Sequence, residues 1–324
     1  MMPRHFSRRD FLERAAGAAA LAAVAGRNAG AQQARGAGMY ISLNGSVARG
    51  VGWPDLARLA ARVGFGGVDW SLGPAKTAGV DATKALFAEL RIRPSIVNLP
   101  MARPLPFGGD QPAFEEALRA LADDAAFTAA IGCDRMMLVL SPTGPAPKAE
   151  YRKVVRDRLA AISEVLQRSH LELGLEFLGV QQFRAGREGG PPPNPFIWTL
   201  PETVALAKDS GANIGVILDI WHWHHSGGTV ADILAAPASR IVHVHLSDAK
   251  AQPPEEVRDN QRLMPGEGII DVTGFLQALK KIGYAGGVSP EPLGRVPAEM
   301  TPEEGARLAL ETTKAAMTKA GIAA

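Results

Sequence analysis

The chain has 324 residues, a length that suits one large α/β barrel or two modest domains. Hydrophobic residues make up 46% and charged residues 21%, which excludes a wholly disordered chain. Its 35 Lys+Arg and 33 Asp+Glu nearly cancel, with no basic cluster in the body of the chain to follow a nucleic acid, and the single cysteine, Cys133, excludes an internal disulfide or a Cys-based zinc site.

In chain order, residues 1–31 read as an export signal. Arg4, His5, Arg8 and Arg9 precede an apolar, Ala-rich run over 15–25, and Ala29-Gly30-Ala31 supplies small residues for cleavage. Ser7-Arg8-Arg9-Asp10-Phe11-Leu12 resembles the twin-arginine export motif, which implies a periplasmic protein exported already folded. The run is too short and too Ala-rich for a membrane span, so no membrane anchor is expected after cleavage. Removing 1–31 leaves 30 basic and 31 acidic residues; the apparent basicity belongs to the signal. Residues 32–38 are expected to be a short linker, and 39–324 a catalytic domain.

That domain alternates strand and helix. Short β-rich runs bounded by Gly, Pro and Asn predict strands near 39–45, 66–72, 94–100 and 135–142. Four more are predicted near 171–179, 214–221, 240–247 and 286–293. Helical periodicity falls between them, for example over 54–63, 81–90, 114–130, 150–167, 201–208 and 273–282. Pro54 and Pro201 stand at helix starts, and Gly64, Gly132, Gly211 and Gly283 follow helical runs as C-terminal caps. Eight such units in one domain predict a (β/α)₈ TIM barrel. A doubly wound sheet is the lesser reading, because Asn44-Gly45-Ser46 is not a phosphate-binding turn. The Pro-rich stretch 191–195 reads as a stiff rim loop.

In a barrel, chemistry sits at the C-terminal strand ends. There the sequence places Glu176, Asp219, His245 and Glu291 on four successive strands. Each has a bland reading alone: a loop ion pair for a Glu, a helix cap for Asp219, a core hydrogen bond for His243 or His245. Together, three carboxylates and an imidazole in register are costly to bury without a cation. The oxygen-rich set suits one divalent ion, Mn²⁺ first, with Mg²⁺, Co²⁺ or Zn²⁺ as alternatives. Five of the seven His fall between 222 and 245; His222 is placed to meet a substrate oxygen, while His224 and His225 are assigned to a peripheral loop. Trp70, Trp198, Trp221 and Trp223 lie at strand ends or in rim loops, where an indole can stack on a sugar ring; packing between barrel and helices is an equal reading for each. The polar segment 250–261 reads as an exposed loop over the mouth and a candidate lid.

The segments LDIWHWHHSG, HVHLSDA, RLMPGEG and SPEPLG resemble the strand ends of the xylose isomerase-like TIM-barrel family, which includes ketose 3-epimerases, hydroxypyruvate isomerase and inosose dehydratase. The resemblance covers about residues 39–320. It implies one divalent metal held by Glu176, Asp219, His245 and Glu291. It also implies proton transfer by Glu176 and Glu291, and substrate contacts from His222 and Arg262. Two departures stand out: Gln182 occupies a place where the epimerases carry an acid, and 250–261 is longer than in them. The expected substrate is a small, non-phosphorylated sugar or keto-sugar, isomerised or epimerised through an enediolate. The same intermediate serves a lyase or dehydratase acting on a keto-sugar, 3-keto-glycoside or cyclitol. A catalytically silent sugar-binding protein and a DNA-repair endonuclease are the remaining alternatives. The endonuclease is disfavoured because the chain has no basic groove.

Overall fold

A computed structural model describes residues 38–185 and 193–323. The predicted export signal and most of the linker lie outside these residues, as do 186–192, including part of the Pro-rich loop. Eight parallel strands close into a barrel: β1 (Tyr40–Leu43), β2 (Gly67–Trp70), β3 (Arg93–Asn98), β4 (Arg135–Leu140), β5 (Glu172–Phe177), β6 (Ile214–Asp219), β7 (Ile241–Leu246) and β8 (Gly287–Pro290). The closure pairs Tyr40 with Gly287 and Ile41 with Val288. This is the (β/α)₈ TIM barrel the strand spacing predicts, as a single domain.

Alternation along each strand decides which residues face the barrel interior and which face the helices. Ile96, Ile217 and Val242 form a separate buried cluster with Met137 against it, an apolar layer contributed by β3, β4, β6 and β7. Neighbouring strand residues such as Leu175, Phe177, Leu218 and Val244 join the larger core under the helices. Burying one such side chain contributes about 1.5–3 kcal/mol. Gly174 gives this packing room, since a Cβ there would strike Ile217.

The helices begin and end where their caps allow. α1 (Asp55–Val63) buries Leu56, Ala57, Leu59 and Ala60, and stops at Gly64, whose φ of 103° is left-handed. Gly211 behaves otherwise. Its φ of 165° is extended backbone, and glycine is needed there because a Cβ would collide with Ser163. A short helix, α2 (Leu72–Ala78), begins where the sequence reading continued β2; it is followed by α3 (Val80–Leu90). α4 (Gln111–Ala130) starts at Asp110, whose carboxylate accepts from Ala113 N, and α5 (Lys148–Arg168) and α6 (Leu200–Ser210) follow.

A second correction bears on the mouth of the barrel. Residues 220–225, expected as strand end and loop, form α7 (Ile220–His225). Asp219 stops β6 because its Oδ1 accepts from Trp221 N at 2.7 Å, capping the new helix. After α8 (Val230–Ala235), α9 (Val272–Ile282) and α10 (Pro302–Lys319) complete the ring; α10 opens on a reciprocal capping box between Thr301 and Glu304. Asn194–Pro195 of the rim loop pairs antiparallel with Thr143–Gly144. Among the described residues, no helix is long and apolar enough to cross a membrane.

Candidate metal centre

Glu176 lies one residue from the end of β5, Asp219 ends β6, His245 lies in β7, and Glu291 directly follows β8. The register sets His245 beside Asp219 on one side and beside Ser289 on the other. Glu291 N donates to Leu246 O at 2.9 Å, carrying the sheet pattern one residue past β8. Each of the four offers one ligand atom, and these atoms lie within 4.8 Å of one another. His245 Nδ1 is 2.8 Å from Glu176 Oε1 and 3.4 Å from Glu291 Oε2. The four residues singled out in the sequence are therefore brought together at one end of the barrel.

Two groups offset part of their negative charge. Burial opposes charge on His245, but Glu291 and Glu176 outweigh it and hold the imidazole pKa well above its ordinary value. Burial alone would raise Glu291; His245 and then Arg262 hold it well below the usual carboxylate range. The Arg262 side chain is 2% exposed. Its Nη1 donates to Asp219 Oδ2 at 2.8 Å and to Glu291 Oε2 at 2.9 Å. Its Nη2 donates to Asp259 Oδ1 at 2.7 Å and faces His222 Nε2 at 3.3 Å. If His222 Nε2 accepts there, its proton sits on Nδ1, a buried atom with no partner.

Of the two readings given to the tryptophans, ring stacking on a sugar or packing, the structure favours packing for Trp70, Trp221 and Trp223. Trp221, expected at the substrate, is 1% exposed and packs against the Arg262 guanidinium, 5.5 Å from its ring centroid, and against His225. It backs the arginine and presents no open ring face. Trp70 is buried against Trp53 and Phe127, and Trp223 against Phe275, both in the layer between barrel and helices. Trp198 is half-buried and lies beneath the Arg184 and Lys148 cations.

Three further features escaped the sequence reading. Asp248 is fully buried, and its carboxylate accepts from the backbone N–H groups of Ala249, Gly266, Gly268 and Ile270. With the Asp248–Leu263 backbone pair, it fixes the turn that presents Arg262. Its signal was visible within HVHLSDA and RLMPGEG, as an acid beside a Gly-bearing turn. The second feature is Asp259, delivered from the polar loop 250–261. That loop is largely exposed, as expected, but Val257 anchors it in the core. The third is Asp69 on β2. Its Oδ1 accepts from Ser42 at 2.7 Å and Ser289 at 3.0 Å, and its Oδ2 from Asn44 at 3.1 Å. Burial pushes its pKa up to about 6, opposed by His245 and these donors.

The donor set fits a divalent cation. Three carboxylates and an imidazole supply four N/O ligands on rigid strand ends, a composition for Mn²⁺, Mg²⁺, Co²⁺ or Zn²⁺. Such a cation would replace the proton on His245 as the neutralising charge. Fold and cluster thus define a barrel protein with a strand-end metal-type site.

The family model described as "Xylose isomerase-like TIM barrel" matches residues 57–316, and the chain belongs to this family. An inosose isomerase of Halalkalibacterium halodurans is 29% identical over 172 residues, 53% of this chain and 57% of that protein. The chain therefore aligns with little more than half the length of this curated relative. The structure of a xylose isomerase domain protein from Alicyclobacillus acidocaldarius superposes with a TM-score of 0.78 at 26% identity, covering 87% of this chain and 99% of that one. The IolI protein with a bound zinc atom gives 0.72 at 22% identity, covering 87% and 99%, a likeness of fold.

Proposed function

We propose that the protein is a divalent-metal-dependent isomerase or epimerase of a non-phosphorylated sugar, keto-sugar or cyclitol ketone. The observation that carries this reading is the convergence of Glu176 and Glu291 on His245 Nδ1, together with Asp219. The name of the relative, inosose isomerase, supports a cyclic polyhydroxy ketone as substrate. Glu176, Asp219, His245 and Glu291 would hold the cation. When bound, the cation would polarise a carbonyl and acidify the neighbouring C–H.

The chain's own groups then divide the work. One glutamate removes the proton from the carbon beside the carbonyl, and a glutamate returns it. Return to the opposite face of that carbon gives an epimer; return to the neighbouring carbon gives an isomer. Arg262 and His222 orient the oxygen atoms of the substrate, and burial of this polar set lets their fixed dipoles act with little screening. Trp221 supports Arg262 from behind. Residues 1–31 are proposed to direct the folded protein to the periplasm.

The test is NMR of keto-sugars and inososes in D₂O with the Mg²⁺-loaded protein. Deuterium should enter the carbon beside the carbonyl, with an epimer or isomer accumulating. Loss of water or of an aglycone would move the assignment to the lyase branch. Tight binding without deuterium entry would contradict enzymatic proton transfer.

A further inference from the structure

Arg262 has five N–H donors, and each of its three nitrogens has a partner in the structure. Nη1 is shared between Asp219 and Glu291. Nη2 is shared between Asp259 and His222. Nε donates to Asp259 Oδ1 at 3.2 Å and to its backbone oxygen at 3.3 Å. An arginine recognises a carboxylate or phosphate through two parallel donors on one edge. Here the Nε–Nη2 edge already has a carboxylate on it, supplied by the chain itself. A cation that drew Asp219 and Glu291 to itself would free Nη1 but leave this edge occupied.

Asp259 is held in that position from several directions. Its N–H donates to Gln182 Oε1 at 3.0 Å. Gln261 Oε1 accepts from Arg258 N at 3.1 Å across the same short turn. Arg262 N donates to Leu293 O at 3.1 Å. The carbonyl of Asn260 packs so closely on Gly294 that any Cβ there would strike it. The Asp259 side chain is 25% exposed, whereas that of Arg262 is 2% exposed. The acid therefore stands on the solvent side of the arginine. His222 Nε2 lies 3.9 Å from its Oδ1.

We propose that Asp259 is a specificity-determining residue: it occupies the anion-recognition edge of Arg262 and confines the site to uncharged polyhydroxy carbonyl compounds. Sugar acids and sugar phosphates meet a carboxylate where they would need a guanidinium. Like charges in a water-poor site repel strongly, whereas hydroxyl groups can donate to the Asp259 carboxylate. Gln182 accepts from the Asp259 backbone N–H and so steadies the loop without adding charge.

This inference rests on the proposed reading of the site as a sugar site, and the test separates the two. The Mg²⁺-loaded full-length protein and its D259N, D259S and Q182A variants are titrated calorimetrically with a ketohexose, its 6-phosphate and inorganic phosphate. The wild type is expected to prefer the uncharged sugar by at least tenfold. D259N and D259S should each narrow that preference by at least tenfold and tighten inorganic phosphate binding by a similar factor. Q182A, which loosens the loop but keeps the charge, should leave the preference within twofold. An unchanged preference in both Asp259 variants, or an equal narrowing in Q182A, overturns the proposal. If the wild type binds neither sugar, the sugar reading fails by itself. The charge claim is then decided by inorganic phosphate: tighter binding in D259N and D259S upholds it, and binding equal to wild type overturns it.

Discussion

On the β5–β8 side of the barrel, Glu176, Asp219 and Glu291 gather around one imidazole and one guanidinium. Toward β1 and β2, Asp69 is wrapped by the hydroxyls of Ser42 and Ser289 and the amide of Asn44. Asp69, His243 and His245 also bring ligand-type atoms within 4.8 Å of one another, so distance alone does not separate the two clusters. What completes them does. Ser289 bonds both Asp69 and His243, the latter at 2.7 Å, and burial lowers the His243 pKa, helped by the charge of His245. The direct hydrogen-bond donors to Asp69 are all neutral. The first cluster keeps an excess of carboxylate and needs positive charge. Surplus of one sign, rather than proximity, is what marks the first cluster as the candidate cation site.

The comparison can be broken most severely at the proton-transfer groups. Glu176→Gln and Glu291→Gln should each lower turnover by roughly 10²–10⁴-fold, the usual worth of a positioned acid or base, while circular dichroism stays that of the wild type. Next, Asp219→Asn should deplete bound metal, measured by elemental analysis. It should keep most of its cap on α7, because Asn caps nearly as well as Asp.

Asp69→Asn should instead change stability with pH. Its folded pKa of about 6 lies above the ordinary value of 3.8, so the folded state holds the proton longer than the unfolded state. Its contribution therefore falls as pH rises from about 4 to 6. The melting temperature of wild type relative to Asp69→Asn should decline over that window and then level off; a rise would contradict the assignment. The smallest effect is outside both clusters. Glu267, held below the ordinary carboxylate range by its bond to Arg295, stabilises the folded state at neutral pH, and this is lost as pH falls through its lowered pKa. Glu267→Gln should cost about 0.5–1 kcal/mol in denaturant unfolding at neutral pH.

Much of this was legible in the sequence for physical reasons. Gly- and Pro-bounded apolar runs define strands whose helices must return them to one sheet, and an acid or imidazole at successive strand ends must meet its neighbours once the barrel closes. Asp259 was not legible, because a polar Pro-bearing loop reads as solvated whether or not one side chain turns inward. The helix Ile220–His225 was hidden by β-favouring Ile and Trp beside Asp219, whose role as a cap shows only in its backbone geometry. Trp221 looked like a ring-stacking platform since sequence gives its place on the rim and not the direction of its side chain.

Glu176, Asp219, His245 and Glu291 are proposed to form a single divalent-cation site. Calorimetric titration of Mn²⁺ into chelator-treated full-length protein tests it most directly. One ion per chain is expected in the wild type. Affinity should fall by more than about 100-fold in Asp219→Asn and His245→Ala, and by no more than the roughly 10–100-fold of an outer partner in Asp69→Asn. Absence of binding in the wild type, or binding abolished by Asp69→Asn and retained in His245→Ala, would contradict this assignment.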